Sequence, residues 1–231
     1  MPPTLRFLLA ARRSELLGLE TLASTCELAT RVSKLAHVLQ KERGCSNLYL
    51  CGGQDTLRQT LAGLSSDASA VEEEVRRFLD RLEPDVTRSA GKARLLNCVA
   101  YALYRLDELP RLRGRIRDRR VVAEEAGAAF TKLIASLFAL VFEAADSSLD
   151  AGVTQLLVAL LNFMQGKELC GQERAHGVMG YTAGFFTEPQ KARLLELADL
   201  QKRCFDGFAQ CAAPDALAAW GQLAPGAGQV Q

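Results

Sequence analysis

Arg43 and Arg174 are the residues of this 231-residue chain best suited by type and position to do chemistry. Each follows a glutamate, in the pairs Glu42-Arg43 and Glu173-Arg174. A guanidinium cannot shed its charge, so one set against an apolar face must snorkel to water, pair with a carboxylate or hold an anion. Its planar fork donates two parallel hydrogen bonds and matches a small planar oxyanion, where lysine offers only a point charge. Two such forks on different helices could clamp one anion, with charge-assisted bonds of about 1.5–3 kcal/mol each. Glu42 and Glu173 then orient the arginines, or pair with them while the site is empty. A ligand that bridges two helices favours the arrangement that brings them together, and that differential affinity is what a switch requires.

Periodicity places both arginines. Leu28, Val32, Leu35 and Leu39 follow one another by four, three and four residues, a helical stripe facing a bundle. Ser46 and Leu50 return to that face, and Arg43 lies within or beside it. On a second helix Leu156, Leu157, Leu160, Leu161 and Met164 define the apolar face, with Arg174 nearer its edge. Gly171 and Ala175, four apart on that face, let another element approach closely. Gly177, Gly180 and Gly184 are costly in a helix and mark tight packing or a distorted last turn.

The elements that carry these stripes are cut by sparse breakers. Gly52-Gly53-Gln54-Asp55 separates the first helix, from about Ser24, from a second running to Leu82, and Pro84 follows. Helices follow at about Ser89–Glu108, Val121–Ala145 and Leu149–Gly184. Thr187-Glu188-Pro189-Gln190 is a capping box with Pro in the first turn, opening a helix to about Cys211. No strand-like alternation of useful length intervenes. The expected fold is all-α: antiparallel helical bundles, two packed four-helix-type bundles sharing long helices. The expected organisation is one domain over 1–211 and a flexible tail over 212–231, with no output domain.

Composition narrows the functional classes. Lys plus Arg number 28 against 27 acidic residues, so no global charge draws the chain to nucleic acid. The Arg-rich run from Arg105 to Arg120 is interleaved with acidic residues and reads as a solvated helix or connector, which makes direct nucleic-acid binding a poor fit. Seven cysteines, without a CxxC spacing, suit free thiols in a reducing compartment. The N-terminal stretch lacks an export signal. The most apolar run, Leu133–Phe142, is too short to span a bilayer, so cytoplasmic localisation is expected. Glu173 and His176 form one Glu-x-x-His, but a di-metal bundle site needs two with two further glutamates, so no metal and no cofactor is expected. No cysteine has a convincing catalytic partner, and no phosphate loop follows a strand. The chain is not expected to be an enzyme.

The strings LQKERGCSNLYL (39–50) and QGKELCGQERAHGVMGYTAGFF (165–186) resemble the nitrate- and nitrite-sensing domain family. The first is similar to that family's LQxERGxS helix and the second to its KExxGQERAxG helix. The apolar helix over Thr131–Ala145 also resembles the one between them. The likeness covers about residues 25 to 210. It implies a pair of helical bundles and a nitrate or nitrite site using Arg43 and Arg174, supported by Glu42, Ser46, Gly171 and Glu173. Members usually carry an output module, RNA-binding or signalling, so the resemblance implies here either a separate effector or one that has been lost or truncated. Helical sensors often signal as homodimers. The competing reading is a helical protein-interaction module in which both Glu-Arg pairs are interhelical salt bridges.

Overall fold

The computed structural model describes residues 2–52, 55–81, 93–148 and 150–223. Among these, eight α-helices and no strands form the fold: α1 (Pro3–Gly52), α2 (Asp55–Asp80), α3 (Ala93–Asp107), α4 (Leu109–Arg117), α5 (Ala123–Asp146), α6 (Ala151–Ala183), α7 (Glu188–Cys211) and α8 (Pro214–Leu223). The all-α class is as expected. The expected turn at Gly53-Gln54, the stop at Pro84, the helix start at Ser89 and the start at Leu149 fall outside the described residues.

The lower half of α1, with α2, α3–α4 and α5, makes one four-helix-type bundle. Paired contacts give the directions. Lys34 meets Glu74, Glu42 meets Ser65 and Cys45 meets Leu57, so α1 and α2 run antiparallel. Arg43 meets Thr131 and Asn47 packs on Gly127, so α1 and α5 are antiparallel too. The predicted stripe Leu28, Val32, Leu35, Leu39 is buried, and it interlocks with Phe130, Ile134, Leu137 and Leu140 of α5. Each such aliphatic side chain contributes about 1.5–3 kcal/mol when buried. By length and composition α5 alone among the described helices could cross a membrane, yet 56% of its most apolar window is buried inside the bundle, where it is the central core helix.

Against the α1–α5 face lies a second layer. Ser33 meets Met164 and Gln40 meets Glu168, so α6 runs parallel to α1. Gly166 faces Phe205 and Asn162 faces Gly207, so α7 returns antiparallel to α6. The expected capping box is formed: the Thr187 hydroxyl accepts from the Gln190 backbone N–H, and the Gln190 side chain accepts from that of Thr187.

Two expectations are corrected. First, α1 begins at Pro3 rather than near Ser24, because an unbroken run of good helix formers continues it beyond the bundle. Second, the tail from 212 is helical over Pro214–Leu223, and Trp220 stacks on Phe205 at 4.8 Å with Phe163 and Phe208 at its edges. Residues 224–231 fall outside the described set. The second layer is α6, α7 and α8 among the described residues, against which the long α1 also packs, in keeping with the expected helical bundles that share long helices.

Candidate functional site

Where α1, α5 and α6 meet, a cavity of about 870 Å³ opens. Arg43, Gly44 and Asn47 line it from α1, Gly127 and Thr131 from α5, and Gly171, Arg174 and His176 from α6. That places it in the usual size range of ligand pockets, between helices of a bundle. The two arginines singled out from the sequence therefore share one chamber.

Arg43 is 5% exposed, far too buried to stand without partners. Its Nη1 donates to the Glu168 carboxylate and to Thr131 Oγ1, the latter at 3.0 Å. Glu168 is itself 6% exposed and accepts further bonds from Gln40 Nε2 at 2.9 Å and Gln172 Nε2 at 3.0 Å. Arg43 Nη2 lies over Gly171, only 2.8 Å from where a Cβ would stand there. The glycine predicted to allow a close approach thus admits the guanidinium itself. The Nε and Nη2 side of that group carries no hydrogen bond to a described residue, while the Nη1 side is tied down.

Arg174 is exposed and reaches the same cavity from α6, six residues beyond Glu168. Among the described residues no carboxylate pairs with it. Its neighbour Glu173 accepts from Gln201 Nε2 at 2.6 Å instead. Glu42 is likewise turned away from Arg43. It is 1% exposed and accepts from Arg113 Nε and Nη2 at 2.7 and 2.8 Å and from Ser65 at 2.6 Å. The expectation that each glutamate partners the arginine beside it is corrected, since residues adjacent in a helix point about 100° apart. Ser46 is buried, and its hydroxyl has no partner among the described residues; it does not line the cavity.

Sequence reasoning missed Glu168, Thr131 and Arg113. Glu168 was detectable: it follows Met164 by four residues on the apolar face, the same signal that marks Arg43. Arg113 was taken for part of a solvated run, whereas it forms a charged cluster with Glu42, Ser69 and Glu72 between α1, α2 and α4.

Charge accumulates below the cavity. Lys167 contacts His37 Nδ1 across the α1–α6 crossing. Burial and then the Lys41 charge push the Lys167 ammonium below the lysine range, and burial, Lys167 and Lys41 push His37 down. The cysteines within the motifs are subdued. Burial first, with the Glu42 charge, raises the Cys45 thiol, and burial with Glu173 raises Cys170, so reactive thiolate is scarce at both. No group of three or more metal-ligating side chains is present among the described residues.

An all-helical module with arginines around a chamber between its two layers has the form of a small-ligand sensor. Comparison with known proteins gives it a family. The family model described as nitrate and nitrite sensing matches residues 34–231, and this chain belongs to that family. The nitrate regulatory protein of Klebsiella oxytoca is 39% identical over 213 residues, which are 92% of this chain and 52% of that protein. The solved structure of the NasR transcription antiterminator matches with a TM-score of 0.80 at 37% identity, covering 96% of this chain and 59% of the other. The chain spans about half the length of the curated relative it matches. These relatives are regulators, not enzymes.

Proposed function

We propose that the chain senses nitrate or nitrite by clamping the anion between Arg43 and Arg174, and that the clamp shifts α6 against α1 and α5. The observation that carries this reading is the common cavity: buried Arg43, with one edge of its fork uncommitted, and Arg174, without a carboxylate partner among the described residues, both line it. Nitrate or nitrite fills only a small part of the chamber of about 870 Å³, and closing α6 on α1 and α5 around the anion contracts it. That contraction is the signal. A homodimer in the cytoplasm and a signalling or RNA-binding effector belong to the same proposal.

The competing reading is an interaction module without a ligand, favoured by the buried Arg43–Glu168 pair, which satisfies part of Arg43 internally. Thermal unfolding separates the two. Nitrate at about a hundred times its dissociation constant should stabilise the fold by about 2.7 kcal/mol, a rise of about 5–10 °C over chloride at equal ionic strength. Arg43→Ala and Arg174→Ala should each abolish that difference. Equal midpoints in the two salts for the wild-type chain would sink the sensing proposal.

A further inference from the structure

Glu168 is pinned by donors from two helices: Arg43 and Gln40 of α1, and Gln172 of α6. A carboxylate held so, at 6% exposure, is poorly placed to swing aside for an incoming anion. It also leaves the Nε and Nη2 side of Arg43 free of described partners, so a ligand can bind without displacing it. Its charge remains, however, beside that of Arg43. Glu168 lies behind Arg43, outside the chamber's lining, and its charge offsets that of Arg43, while Arg174 is a lining cation that no described carboxylate pairs. Lys41, Lys132 and Glu124 also line the chamber and, like Arg174, are exposed to water that screens them, whereas Arg43 and Glu168 are the buried pair. Lys167 is outside the lining and contacts His37 instead.

We propose that Glu168 is a specificity-determining residue that restricts the chamber to singly charged anions. This rests on the clamp reading of the same site. A monoanion beside Arg43, Glu168 and Arg174 makes the group neutral. A dianion leaves one uncompensated negative charge in a partly desolvated space, which is strongly disfavoured. Neutralising Glu168 frees a second positive charge and should admit dianions.

The test is isothermal titration of the full chain with sodium nitrate, oxalate (a planar dianion) and sulfate, at constant ionic strength. Wild type should take nitrate and reject both dianions. Glu168→Gln should raise the oxalate-to-nitrate affinity ratio by about tenfold or more, the scale on which a neighbouring charge moves an ionic equilibrium. Glu168→Asp keeps the charge and should keep the wild-type preference. Wild type binding oxalate as tightly as nitrate overturns the proposal without any variant. So does a folded Glu168→Gln with an unchanged ratio. Wild type binding no nitrate at all is a different result: it overturns the clamp itself, and this inference with it.

Discussion

Glu42 and Arg43 are neighbours in sequence with separate occupations. Glu42 locks Arg113 into the four-helix bundle, while Arg43 faces the chamber between the layers. Gly171 is where packing and binding can be pulled apart. A methyl group there meets Arg43 Nη2 at 2.8 Å, and that contact is the tip of a flexible side chain, which can yield. Alanine also suits a helix better than glycine, by about 0.5–1 kcal/mol. Gly171→Ala should therefore keep or raise the melting temperature in chloride while cutting the nitrate-specific rise by half or more, both read in one thermal-shift series. Arg43 was legible in the sequence because a permanent charge interrupts an apolar stripe. Its partner was not, because spacing along one helix says nothing of which carboxylate on another comes within reach.

Among the elements, α7 was the most legible, since its start is written in four consecutive residues. Thr187→Ala removes the hydroxyl that accepts from Gln190 and should cost about 1 kcal/mol. In a chain of this size that lowers the melting temperature by about 2–4 °C, measurable by calorimetry, and the nitrate response should survive. The opposite case is α4. Its alternating arginines look solvated, yet the carboxylates that draw Arg113 inward belong to α1 and α2. For α8 the signal was also remote: Trp220 has its aromatic partners on α6 and α7. Local pattern reads a helix that buries its own stripe, and loses one that is held by others.

At the scale of the molecule, the bundle does not use the whole of α1. Its first buried residue is Leu28, and large apolar side chains before it, Phe7 and Leu8 among them, are exposed. Deleting residues 3–20 should shift the melting temperature by no more than about 2 °C, since the lost contacts are worth little against the ΔS of unfolding. Circular dichroism would check this, and a fall of 10 °C would mean the overhang is packed after all. The same helix carries Arg43. At a rise of 1.5 Å per residue, Pro3 is about 60 Å along the axis from that arginine. A rigid rod pivoting at the chamber has a long lever arm: a tilt of about 3° sweeps its far end through about 3 Å. On the clamp proposal, such a tilt would place a movement the length of a hydrogen bond at a site the anion never touches.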